Sequence, residues 1–77
     1  MVNTELLNNK IKESGKTRQY LAKQCGMTAQ SLRLKANNVI DFRSPEVQIL
    51  CMELDIATLE EKEQIFFADG VSKNGNN

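Results

Sequence analysis

The stretch that decides the fold covers residues 17–38 and reads TRQYLAKQCGMTAQSLRLKANN. It predicts two short helices joined by a tight turn at Gly26, because glycine adopts the positive φ angle that such a turn needs. Ala22 is small enough to let the two helices approach closely, and Leu32 fills the angle between them. Thr28 is expected to cap the second helix of the pair, since its hydroxyl accepts a free N–H of the first turn. The stretch therefore predicts a compact two-helix unit.

The sequence before this unit predicts a first helix, capped by Asn3 or Thr4 and ended by Gly15. The side chains expected on one face of this helix are Leu6, Leu7, Ile11 and Ser14. That face is expected to pack against the rest of the domain.

Two further helices follow the unit, after a stop signal at Asn37-Asn38 and a linker over residues 39–43. The fourth helix is expected to begin with Ser44 as its cap and Pro45 in its first turn. The fifth begins at Thr58, and Glu61 completes a capping box. The side chains expected in the core are Val47, Leu50, Cys51 and Leu54 from the fourth helix, and Leu59, Ile65 and one of Phe66 and Phe67 from the fifth.

Length and composition limit the chain to one small domain. With 77 residues, of which 40% are hydrophobic, we expect an all-α fold, a compact bundle of about five short helices over residues 1–69. The polar residues 70–77 are expected to form a disordered tail. No apolar run approaches the roughly 20 residues of a membrane span, and no signal peptide is visible, so we expect a cytoplasmic protein without membrane contact. Two distant cysteines, Cys25 and Cys51, fit a reducing compartment.

Catalysis is not expected from this sequence. The chain has no histidine, and it shows no nucleophile–base pair, phosphate-binding loop or cluster of metal ligands. Glu60, Glu61 and Glu63 are explained by the favourable placement of negative charge in the first turns of a helix. We therefore predict a protein that is not an enzyme and that uses no cofactor, metal or small-molecule substrate.

Charge is distributed unevenly along a chain whose formal net charge is zero. Residues 15–43 carry six basic side chains and one acidic side chain, whereas residues 44–77 carry two basic and seven acidic side chains. This arrangement would orient the two-helix unit toward phosphate and turn the C-terminal part away from it. The alternative is that both sets of charges are solvated helix faces.

The predicted arrangement of the two helices is that of a helix-turn-helix, and the residues of this unit resemble those of a known family. The segment TRQYLAKQCGMTAQSL, over residues 17–32, resembles the Cro/repressor helix-turn-helix family of phages and their bacterial relatives, the lambda-repressor-like domains. The resemblance covers about residues 6–55, and the later segment EKEQIFFA is similar to the end of a small subgroup of Cro-like proteins. Two residues depart from the family pattern: Lys35 stands where a large apolar residue is usual, and Asn38 stands where glycine is usual.

The resemblance implies a five-helix domain that binds double-stranded operator DNA, usually as a homodimer on a palindrome, and that regulates transcription. Because no separate C-terminal oligomerisation domain is visible, the chain resembles a Cro-type protein more than a full repressor. The expected setting is the cytoplasm of a bacterial cell or of a phage-infected host.

The first turn of the third helix would face base edges in the major groove. The candidate base contacts are Thr28, Ala29, Gln30, Ser31, Arg33 and Leu34. Gln30 is the first choice, because its amide pairs bidentately with adenine, and the alternative is a solvated glutamine. Ala29 either lies against a thymine methyl or serves only as a helix former, and Arg33 reaches guanine, a phosphate or a surface ion pair. Leu34 either meets a thymine methyl or packs into the linker that follows.

Contacts to the DNA backbone are expected from residues on either side of that first turn. These residues are Arg18 and Gln19 at the start of the second helix, together with Lys35, Asn37, Asn38 and Arg43. The second helix favours phosphate at its N-terminus, where its dipole is positive. The stem of Lys35 is expected to be buried while its ammonium reaches a phosphate.

A dimer surface is expected near the end of the fifth helix. Phe66 and Phe67 are adjacent, so both cannot face one core stripe. One of them is expected in the core and the other against a partner subunit, together with Ile56, Leu59 or Val71. The alternative is that Phe67 packs on the first helix of its own chain.

Two functional hypotheses follow from the sequence. The first is a sequence-specific DNA-binding regulator, and the second is a protein–protein interaction module on the same fold that acts through its acidic C-terminal face. The first hypothesis is favoured by a cluster of basic residues around one helix, because an interaction module would not need this cluster. The cluster consists of Arg18, Arg33, Lys35 and Arg43.

Overall fold

The computed structural model describes residues 1–68, which form an all-α bundle. Its helices are α1 (Thr4–Ser14), α2 (Arg18–Cys25), α3 (Ala29–Ala36), α4 (Ser44–Glu53) and α5 (Leu59–Phe66). Helix α2 packs against both α3 and α4, and α1 packs against α5 and α3. The predicted bundle of about five short helices is therefore confirmed. Residue 69 and the predicted tail over residues 70–77 lie outside the described residues.

One apolar core joins all five helices. Its most deeply buried large side chains come one from each helix, and they are Leu7, Leu21, Leu32, Leu50 and Ile65. Phe42 in the linker meets Phe66 edge to face, with the ring centroids 5.5 Å apart. Ala22 is also buried, at 1% exposure, as its predicted place between two helices requires. The core thus holds α2 and α3 in a fixed relation to each other.

The turn between α2 and α3 is built on Gly26, as the sequence predicts. Gly26 has a φ angle of 77°, in the left-handed region. The N–H groups of Gly26 and Met27 donate to the carbonyls of Lys23 and Ala22, and these bonds close the last turn of α2. The direction of α3 relative to α2 therefore depends on the backbone conformation of a single residue.

Replacing Gly26 by alanine is expected to lower the free energy of unfolding by about 1 kcal/mol, because a residue with a Cβ is strained at positive φ. A Cβ added at this position would meet no atom within 4 Å, so the loss comes from backbone strain and not from a clash. Gly26→Asn is the matched control and should lose less, because asparagine adopts the left-handed conformation more readily. Chemical denaturation of both variants measures the difference, and equal losses would contradict this explanation.

The helix starts follow the predicted caps, with one correction. Four helices have a side-chain cap that accepts an N–H of the first turn, and the caps are Asn3, Thr17, Thr28 and Thr58. The predicted cap at Ser44 is wrong, because α4 is capped one residue earlier, at Arg43. The Glu46 carboxylate accepts the backbone N–H of Arg43 at 2.8 Å and thereby fixes the earlier start.

Two apolar residues expected on the core-facing sides of helices lie at the surface. Leu6 is 38% exposed, because it is about 100° around α1 from the buried Leu7. Leu59 is 67% exposed, because it is the first residue of α5 and the core contacts this helix through its other end, at Ile65 and Phe66.

Candidate nucleic-acid interface

Helix α3 has a buried face and an exposed face. The buried residues are Leu32, Lys35 and Ala36. The predicted base-contact residues are Thr28, Ala29, Gln30 and Arg33, which are exposed, and Ser31 and Leu34, which are half-buried. The structure therefore places these six residues on α3 and its N-cap. Most side chains of the first turn of α3 are exposed to solvent.

Two contacts between side chains organise this exposed face. Arg33 Nη2 donates to Gln30 Oε1 at 3.3 Å. The Thr28 hydroxyl accepts the Ser31 N–H at 3.1 Å and donates to the Ser31 hydroxyl at 3.1 Å, so Thr28 has its predicted role as a helix cap. Within residues 1–68, no acidic side chain forms an ion pair with Arg33. The guanidinium charge therefore remains available to an anion.

Leu34 lies where α3 turns into the linker. Asn38 has a φ angle of 66°, and the N–H of Val39 donates to the Leu34 carbonyl at 2.9 Å. The predicted left-handed stop at Asn38 is thus confirmed. Leu34 is half-buried, whereas Val39 is 67% exposed and Ile40 is 46% exposed.

Lys35 is turned inward, so the prediction that its ammonium reaches a DNA phosphate is wrong. Its Nζ atom lies 2.7 Å and 2.8 Å from the two carboxylate oxygens of Glu46. The two side chains are only 11% and 12% exposed. An ammonium removed from water needs a charged partner, and Glu46 at the start of α4 supplies it. The pair ties the end of α3 to the start of α4.

Glu46 should make the stability of the fold depend on pH. Burial raises the pKa of its carboxyl, but the Arg43 N–H, the Lys35 ammonium and the nearby positive charges outweigh burial and hold the pKa below its usual range. Such a group stabilises the folded state fully above its unfolded pKa of about 4.3, and this contribution is lost as the pH falls through the lower folded value.

We therefore expect the free energy of unfolding to fall as the pH drops below about 4.5, and to fall less steeply in Glu46→Gln. Lys16 likewise lowers the pKa of Glu53, which is present in both proteins, so the comparison isolates Glu46. Chemical denaturation at a series of acidic pH values measures both curves. Parallel curves for the two proteins would show that Glu46 does not supply this dependence.

The side chain of Asn38 forms hydrogen bonds with the N-terminal segment, although the residue is exposed, and its contact with the DNA backbone stays a prediction. Its Oδ1 accepts the Val2 N–H at 2.7 Å, and its Nδ2 donates to the Val2 carbonyl at 2.9 Å. The Thr4 hydroxyl donates to the Ala36 carbonyl at 2.6 Å. The first residues of the chain are thereby joined to the C-terminal end of α3, and they hold that end in place.

The other predicted backbone-contact residues are exposed, and they are Arg18, Gln19, Asn37 and Arg43. Arg18 Nη2 donates to Asn8 Oδ1 at 2.7 Å, a neutral partner that leaves its charge uncompensated. Asn37 Nδ2 donates to the Arg33 carbonyl at 3.0 Å. In the part of the chain that the structure describes, four cations of α2, α3 and the linker form no ion pair: Arg18, Lys23, Arg33 and Arg43.

The predicted dimer surface needs two corrections. Phe66 is 4% exposed and Ile56 is 7% exposed, so both belong to the core of their own chain and neither faces a partner. Phe67 is 47% exposed and lines a groove together with Met1 and Ile40. Val71 lies outside the described residues.

Comparison of the chain with known protein families, curated proteins and solved structures found no match. Among residues 1–68, no helix is long and apolar enough to cross a membrane.

Proposed function

We propose that the protein is a sequence-specific regulator of transcription that binds double-stranded DNA through α2 and α3, used as a helix-turn-helix of the Cro/repressor type. The observation that carries the proposal is the outer face of α3. Gln30 and Arg33 are exposed there with free hydrogen-bond donors, and no acidic side chain in residues 1–68 pairs with Arg33.

The dimensions and charges of the unit fit a major groove. A major groove about 12 Å wide admits one helix such as α3, because the diameter of a helix with its side chains is about 10–12 Å. In the proposed complex, the first turn of α3 meets base edges. Arg18 at the start of α2 and Arg43 after α3 contact the flanking phosphates, and these contacts orient the helix without reading sequence.

A dimer completes the proposed site. One domain of this size makes few base contacts, whereas two copies related by a twofold axis read both halves of a palindrome. The exposed apolar residues Phe67 and Ile40 are suitable for the contact between copies, and Ile40 lies four residues beyond the end of α3. The free thiols of Cys25 and Cys51 fit the reducing cytoplasm in which such a regulator would act.

Titration of a mixed-sequence duplex DNA pool at several salt concentrations, followed by fluorescence anisotropy, tests the proposal. Each phosphate neutralised contributes about −0.9 to the slope of log affinity against log salt, so the contacts of Arg18 and Arg43 predict a slope of about −2 for each protomer. Absence of binding at low salt, or binding that salt does not weaken, would contradict the proposal.

A second candidate function is favoured by the acidic half of the chain. Met52 is 77% exposed and Leu59 is 67% exposed, and each is followed in sequence by a glutamate. Apolar side chains beside carboxylates suit a protein partner with basic and apolar residues. If the protein fails to bind DNA, this surface becomes the leading candidate for its function.

A further inference from the structure

We infer that Gln30 is a positioning residue that holds Arg33 in place to read guanine, and that Gln30 itself does not read adenine. This inference rests on the proposed DNA-binding function and gives the base that α3 would select.

The geometry of α3 brings the two side chains together. Residues three apart lie on the same face of a helix, and here both members of the pair are exposed on the face proposed to enter the groove. Arg33 Nη2 donates to Gln30 Oε1 at 3.3 Å. The amide oxygen of Gln30 is thus already engaged as an acceptor by its own helix.

This hydrogen bond changes what the pair presents to a base. Bidentate pairing with adenine needs the glutamine oxygen to accept from N6 while its nitrogen donates to N7. Arg33 occupies one of the two lone pairs of the Gln30 oxygen, so the pair keeps one acceptor position against several donors, namely the Gln30 NH₂ and the other N–H groups of Arg33. Guanine presents two acceptors in the major groove, O6 and N7, and therefore matches these donors.

The contact also restricts the guanidinium group before DNA arrives. A long arginine side chain loses rotamer freedom when it binds, and an existing contact reduces that loss. No carboxylate in the described part of the chain competes for Arg33, so a base can take its free N–H groups without breaking an ion pair.

The test uses a site selected from a random duplex library by the wild-type protein, and the same duplex with the contacted G·C pair changed to A·T. We expect the wild type to prefer guanine by about 5- to 150-fold for each half-site, and Arg33→Ala to lose this preference. Gln30→Ala should lower the preference. Gln30→Glu should lower it as well, because a carboxylate at this position forms an ion pair with Arg33 that a base would have to break.

Gln48 is an exposed glutamine on α4, and Gln48→Ala is the matched control, expected to leave the preference unchanged. A preference for adenine that disappears in both Gln30 variants and survives in Arg33→Ala would overturn the inference and make Gln30 a direct reader. An unchanged guanine preference in Gln30→Ala would also overturn it, because Arg33 would then act alone. If no site is enriched from the library, the proposed function itself fails, and the inference fails with it.

Discussion

Glu46→Ala is expected to lower the free energy of unfolding by about 2–4 kcal/mol, a little below the loss for a fully buried ion pair, because about a tenth of each side chain still contacts water. The substitution leaves the Lys35 ammonium without its partner between α3 and α4. It also removes the acceptor of the Arg43 N–H at the start of α4. Since a core of this size seldom supplies more than a few kcal/mol, much of the protein should unfold at physiological temperature.

Three further variants separate the ion pair from other effects. Glu46→Gln keeps an acceptor for Arg43 and should lose less than Glu46→Ala. The double variant Lys35→Met with Glu46→Leu removes both charges and should be more stable than Glu46→Ala, because replacing a buried pair with apolar residues is often neutral. Glu53→Ala breaks the exposed pair with Lys16 and should change stability much less. Chemical denaturation measures all four, and equal losses in Glu46→Ala and Glu53→Ala would contradict the role given to the buried pair.

Arg33→Glu is expected to weaken DNA binding by about 100-fold or more on a site with two half-sites, because each copy loses a base or phosphate contact and gains repulsion. Lys62→Glu makes the same change of charge on α5, outside the proposed binding unit of α2 and α3. This control variant should weaken DNA binding only slightly, through its effect on the electrostatic field of the whole protein. Anisotropy titrations at one salt concentration measure both variants. Equal weakening by the two substitutions would mean that net charge, and not α3, governs binding.

The parts of the fold that local chemistry determines could be predicted from the sequence. The turn at Gly26 and the caps at Thr17, Thr28 and Thr58 follow from contacts within a few residues, which the spacing of residue types reveals. The left-handed conformation of Asn38 is of the same kind. These local features were sufficient to place α2 and α3.

The contacts that join distant segments could not be predicted in this way. Asn38 lies 36 residues from Val2, and Lys35 lies 11 residues from Glu46, so both contacts depend on how the helices pack. The sequence contained one indication of the contact between Lys35 and Glu46. Lys35 lies three residues after Leu32, on the same face of the third helix, and a buried lysine needs a carboxylate partner. The choice between Phe66 and Phe67 likewise depended on packing, because adjacent residues on a helix offer no local reason to prefer one.

The measurement that tests the central claim most directly is selection of bound sites from a random double-stranded DNA library with the purified protein. We predict enrichment of a palindrome whose half-sites lie about one helical turn apart, with a guanine in each half-site that Arg33→Ala no longer selects. Retention of DNA without any enriched sequence would contradict specific recognition by α3.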